Sequence, residues 1–101
     1  MSVYVIVDVQ VDDPQEYKTY VPRSTALVEA HGGRFLARGG HAERLEGDWQ
    51  PGRVVLIEFP DLSAARAWYD SPEYQEVVQI RHRASTSRGV IVQGADDQGQ
   101  S

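Results

Sequence analysis

Four side chains in this sequence are of the types that acid–base chemistry on a small molecule requires. Arg38 directly precedes Gly39-Gly40 and offers a planar fork of donors to a carboxylate or an enolate. Glu58 interrupts the apolar run Arg53 to Phe59, and Asp8 interrupts the run Val3 to Val11. A carboxylate held in an apolar cleft has a raised pKa and can serve as a general base. His31 completes the candidate catalytic set. Each residue has a plainer role beside the chemical one. Arg38 would pair with Glu46 or Glu58 to fix a hairpin, the carboxylates would face solvent or a partner's arginine, and His31 would sit at a helix C-terminus, where the dipole favours a charged imidazole.

The aromatic residues Tyr17, Tyr20, Trp68 and Tyr69 are the candidate substrate-binding set, with Tyr74 nearby. Aromatics on helical stripes are core packing first of all, yet each buried tyrosine hydroxyl needs a partner. A cleft they line would be apolar with a few polar tips and would suit a small aromatic or polyketide-like acid.

Other chemistries are excluded by what is missing. The chain has no cysteine, hence no disulfide, thiolate nucleophile or Cys-ligated metal. His31, His41 and His82 lack a ligand-type spacing, and no Gly-rich loop opens a nucleotide-binding crossover, so neither metal nor cofactor is expected. No Gly-x-Ser-x-Gly is present. A formal charge of -5 speaks against nucleic acid, although Arg81, Arg83 and Arg88 form a local basic patch around His82, which reads as a solvated helix end. Val3 to Val7 is too short to cross a bilayer, and no signal-peptide pattern opens the chain, so a cytoplasmic protein is expected.

The elements that must position these residues follow from periodicity and punctuation. Val3, Val5, Val7, Val9 and Val11 alternate with Tyr4, Ile6, Asp8 and Gln10, a strand apolar on both faces and therefore covered on both. Asp13-Pro14-Gln15-Glu16 opens a helix, Gly32-Gly33 ends it, and Pro22 predicts a kink or restart in its second turn. Arg34 to Arg38 is a short strand, and residues 41–52 form a long polar connection carrying Trp49. Arg53 to Phe59 is a second central strand. Ser63, with Asp61 before it, caps a helix, and Ser71-Pro72-Glu73 restarts it with Tyr74, Val77, Val78 and Arg81 on one face. Gly89 to Gln93 is the last strand. Two right-handed crossovers are expected to set the first and third strands side by side and parallel in a ferredoxin-like arrangement. Residues 1–94 form a single domain in this reading, and 95–101 a disordered polar tail. With 101 residues, 41% hydrophobic and 25% charged, the chain is an ordinary globular domain, small enough to benefit from a second copy.

Several motifs together resemble a known family. Asp-Pro with Tyr17 and Tyr20, His-Gly-Gly-Arg-Phe-Leu-Ala-Arg-Gly-Gly from His31 to Gly40, Leu-Glu-Gly-Asp-Trp from Leu45 to Trp49, and Ile-Glu-Phe-Pro followed by Ala-Trp-Tyr-Asp-Ser-Pro-Glu-Tyr are similar to domain of unknown function family number 1330. The resemblance runs from about Val3 to Gly94. It implies an α+β, ferredoxin-like βαββαβ fold with a four-stranded antiparallel sheet, assembled as a homodimer within the dimeric α+β barrel superfamily. That superfamily includes cofactor-free monooxygenases, isomerases, dehydratases and haem-dependent peroxidases, so the fold supports several chemistries. The expectation is a cofactor-independent small-molecule enzyme performing proton transfer, cyclisation or oxygenation on an acidic or enolisable substrate. The alternative is a noncatalytic dimeric small-molecule binding protein. An enzyme should gather Arg38 and at least one of Asp8, Glu58 or His31 at one cavity, whereas a binder needs only the aromatic lining.

Overall fold

The computed structural model describes residues 2–95. Its elements run β1 (Val3–Val11), α1 (Pro14–Ala30), β2 (Arg34–Arg38), β3 (Arg53–Phe59), α2 (Leu62–Asp70), α3 (Pro72–Ala84) and β4 (Ser85–Gln93). The strands make one four-stranded sheet in the order β2-β3-β1-β4, each adjacent pair antiparallel. This is the ferredoxin-like βαββαβ arrangement, with α2 and α3 together filling the second helix position.

The central pair corrects one expectation, because β1 and β3 are antiparallel rather than parallel. The crossover through α1 makes β1 and β2 point the same way, and the reversing connection then sends β3 back between them. Asp8 consequently pairs in register with Val54, and Glu58 with Tyr4. The two carboxylates expected at one sheet edge therefore stand four residues apart along β1, about 13 Å.

The sheet's two faces differ as the period of two requires. Val3, Val5, Val7 and Val9 of β1 and Val55, Ile57 and Phe59 of β3 are buried beneath Tyr17, Tyr20, Val28, Trp68, Tyr74, Val77 and Val78 of the helices. On the opposite face Tyr4, Ile6, Val54 and Leu56 are only half-buried, and Val90 and Val92 are 57% and 42% exposed. One layer of helices on one sheet gives a slab of 43 × 36 × 17 Å.

Caps fix the helix positions. The Asp13 carboxylate accepts from the Glu16 amide at 3.1 Å with Pro14 in the first turn, and Gly32, at φ 83°, takes the left-handed conformation that ends α1. The helix runs unbroken through Pro22, without the expected restart. Pro22 lies on the exposed side, where water can serve the carbonyl its missing N–H leaves free. Asp61, rather than Ser63, caps α2 by accepting from the Ala64 amide at 2.8 Å. Ser71 closes α2 and opens α3, its hydroxyl donating to the Trp68 carbonyl at 2.9 Å and accepting from the Tyr74 amide at 3.1 Å. β4 begins at Ser85, four residues before Gly89, because β1 offers a pairing partner as far as Val11. Of the tail 95–101, only Ala95 falls among the described residues.

Candidate functional site

Helix α3 carries Tyr74, Val77, Val78 and Arg81 along its buried side. Arg81 is 7% exposed, and among the described residues no carboxylate pairs with it. Its Nη1 donates to the Tyr74 hydroxyl at 3.2 Å and to the Tyr20 hydroxyl at 3.4 Å, and those hydroxyls bond each other at 2.5 Å. Burial, followed by the nearness of Tyr20, pushes the Tyr74 hydroxyl well above its ordinary value of 10.0, so it stays protonated. Burial raises Tyr17 in the same direction. A buried arginine facing neutral phenols is a retained charge without a counter-charge, an arrangement that folding alone does not favour.

Arg81 and Trp68 stand between two hollows. The smaller, about 30 Å³, lies among Tyr17, Tyr20, Ser24, Tyr74 and the sheet, with room for a water or two. The larger, about 350 Å³, is a cleft lined by Trp68, Tyr69 and Arg66 of α2, Arg81 of α3, Val5 and Val7 of β1, and Gly89, Val90 and Ile91 of β4. That volume suits a small organic ligand. Its charged lining residues are both arginines, within a chain whose net charge is -5. Arg66 is held at the rim by Asp70 at 3.0 Å.

The expected substrate-binding residues are drawn together through Tyr74. Trp68 and Tyr74 have ring centroids 4.4 Å apart, Trp68 and Tyr69 5.7 Å, Tyr20 and Tyr74 6.4 Å, and Tyr17 and Tyr20 5.5 Å. Trp68 and Tyr69 line the larger cleft, while Tyr17 and Tyr20 line only the smaller hollow of the two.

The expected catalytic residues are scattered, and none of the four lines the cleft. A bulge between Phe35 and Ala37 turns both Phe35 and Arg38 toward the helix side. There Arg38 stacks over the Phe35 ring at 4.0 Å and donates to the Thr25 hydroxyl of α1. Glu58 lies on the opposite face and accepts from Arg34 Nε at 2.7 Å. That bond, and a further one from Ser2, hold its pKa below the ordinary 4.5, opposite to the rise a general base would need. Asp8 is 9% exposed, with both oxygens engaged by the β2–β3 connection, by Trp49 Nε1 at 2.8 Å and by the Gly52 amide at 2.9 Å. His31 caps α1, its Nδ1 2.8 Å from the Leu27 carbonyl.

Arg81 and Gly89 are the residues that sequence reasoning passed over. The signal for Arg81 was its place on the stripe Tyr74, Val77, Val78, Arg81, which put it on the buried side. Its neighbours Arg83 and Arg88 disguised it as part of a solvated patch. No histidine is among the cleft's lining residues. Among the described residues no helix is long and apolar enough to cross a membrane, and no three of His, Asp and Glu gather as a metal site.

A family model described as Domain of unknown function (DUF1330) matches residues 2–95. A comparison with curated proteins finds none that matches. Among solved structures, a protein of unknown function from Rhodopseudomonas palustris is 21% identical at a TM-score of 0.75, the match covering 92% of this chain and 82% of that one. SnoaB, a cofactor-independent oxygenase from Streptomyces nogalater, is 20% identical at 0.67, over 92% of each chain. A dimeric ferredoxin-like protein of unknown function from Thermobifida fusca is 15% identical at 0.61, over 90% of this chain and 89% of that one. At these identities the likeness is one of fold.

Proposed function

Because this chain belongs to the Domain of unknown function (DUF1330) family, which brings no activity with it, we propose a function from the cleft itself. The cleft binds an acidic or enolisable small molecule, and the protein catalyses cofactor-independent proton transfer, cyclisation or oxygenation of it. The observation that carries this reading is Arg81, a buried cation with no carboxylate partner among the described residues, on the wall of a cleft of about 350 Å³. When a substrate ionises next to its carbonyl, the proton passes to water and the electron pair moves onto the carbonyl oxygen. A guanidinium already desolvated at that oxygen stabilises the new charge more than it stabilises the neutral ground state. Such a substrate supplies its own reactivity toward dioxygen. The fold shared with a cofactor-independent oxygenase supports this chemistry.

The noncatalytic alternative draws on a separate observation: at this cleft the condition set for an enzyme is not met, since Arg38, Asp8, Glu58 and His31 are all absent from its lining, while Trp68 and Tyr69 supply the aromatic wall a binder needs. One experiment divides the two readings. Wild-type protein and Arg81→Met are incubated with a panel of cyclic 1,3-diketones and hydroxynaphthoquinols, while deuterium exchange and oxygen uptake are followed. Exchange or uptake above the buffer rate that disappears in Arg81→Met supports the enzyme. Binding without either supports the carrier, and no binding by any member overturns both.

The assembly belongs to the same proposal. The second sheet face, with Ile6, Leu56, Val90 and Val92, is covered by a second copy of the chain, and one of the solved structures of this fold is described as dimeric. Of the cleft's lining residues only Val90 belongs to that face, so dimerisation leaves the helix-side walls free.

A further inference from the structure

Among the described residues, three buried side-chain donors lack a hydrogen-bond partner: Arg53 Nε, Trp68 Nε1 and Arg81 Nε. Two of them are on Trp68 and Arg81, which line both the cleft and the smaller hollow beside it, and Arg66 adds further donors at the cleft's rim. No aspartate or glutamate lines that cleft. Buried donors are almost always satisfied in native proteins, so an unpaired pair on two residues that line a cavity calls for an acceptor from outside the chain.

The floor supplies the second half of the argument. Gly89 sits within β4, opposite Val7, where strand propensity favours a β-branched residue such as the flanking Val90 and Ile91. A Cβ built on Gly89 would meet Val7 Cγ2 at 3.3 Å and the Ile6 carbonyl at 3.4 Å, on the helix-facing side of the sheet. Any longer side chain there would project into the cleft. Glycine inside a strand weakens it, and it recurs where a ligand approaches the backbone closely. Its effect here is a slot one side chain wide, roofed by Trp68 and Tyr69.

We infer that the cleft is specific for flat, fused-ring aromatic anions: the acid group meets Arg81 Nε and the Trp68 indole N–H, and the far ring lies over Gly89. This rests on the acidic-ligand reading above and adds the shape of the ligand and the residue that selects it. Gly89 is accordingly a specificity-determining residue, and Trp68 a binding residue as well as a packing one.

Calorimetric titration of the full chain with 2-naphthoate, benzoate and uncharged 2-naphthamide tests the inference. The wild type should bind 2-naphthoate about tenfold or more tighter than 2-naphthamide, since the charge-assisted bond is lost in the amide. Trp68→Phe should weaken 2-naphthoate about fivefold, the effect of one hydrogen bond. Gly89→Val should weaken 2-naphthoate by about tenfold or more while leaving benzoate within about threefold, because only the second ring meets the new side chain. Gly89→Ala, whose Cβ needs only a small shift of Val7, should fall between and keeps the test open if the valine variant does not fold. If neither carboxylate binds the wild type, the acidic-ligand reading falls together with the inference. Equal affinity for acid and amide, or a Gly89 series that treats one ring and two rings alike, overturns the inference and leaves carboxylate binding to support the broader reading.

Discussion

Arg81 is the residue at which stability and function separate. Removing one partner of a buried ion pair is costly, but Arg81 has no carboxylate to strand, and Tyr20 and Tyr74 keep the bond between their hydroxyls without it. Arg81→Met should therefore melt at the wild-type temperature or above it while losing affinity for acids, and thermal denaturation beside calorimetry checks both halves. Glu58 behaves in the opposite sense. Its folded pKa is depressed by Arg34, so it adds stability that is present above 4.5 and is lost as the pH falls through its folded value. Glu58→Gln should lower the melting temperature slightly at pH 7, with the two curves converging once the pH has fallen through the folded value. His82, though exposed, is also depressed, by partial desolvation and by the Arg81 charge, so the unfolded chain takes up its proton first and stability declines as the pH falls below 6.5. His82→Gln should flatten the decline of the melting temperature as the pH falls below 6.5.

At the scale of elements, the β2–β3 connection is fastened by Asp8, which accepts from Trp49 and Gly52 while Gln10 donates to the Gln50 carbonyl at 2.9 Å. Asp8→Ala removes two hydrogen bonds to a mostly buried carboxylate and should cost about 2 kcal/mol, with Trp49 emission shifting to the red. Calorimetry and fluorescence read these separately, and an unshifted emission would mean that the connection holds without Asp8. Ser71→Ala removes the cap shared by α2 and α3 and should cost about 1 kcal/mol. These elements show how far sequence carries. The valine alternation located β1 and its covered face, and Asp-Pro and Ser-Pro-Glu located the starts of α1 and α3, because those signals are local. The direction of β3 relative to β1, the bulge that turns Arg38 inward and the early start of β4 depend on pairing across the sheet, for which no local pattern exists. Glu58 and Asp8 were chosen for standing out from apolar runs, and Arg38 for its place beside Gly39-Gly40. Arg81 was missed because a buried charge on a helix face looks, in one dimension, like any exposed one.

For the molecule as a whole, the second sheet face decides the assembly. Val90 and Val92, together with the half-buried Tyr4, Ile6, Val54 and Leu56, make an apolar surface broader than a lone soluble domain ordinarily leaves wet. In the proposed dimer, Val92→Lys should shift the protein toward monomer in light scattering at micromolar concentration, while acid binding in the cleft, which Val92 does not line, persists. The thinness of the slab has a separate consequence. At 17 Å there is no third layer above the helices, so a guest held against the sheet is separated from bulk water by a single thickness of side chains. Its escape should require only the swing of one or two rings and no loosening of the fold. Dwell times should then track the bulk of the indole and phenol roof and stay constant in sub-denaturing urea.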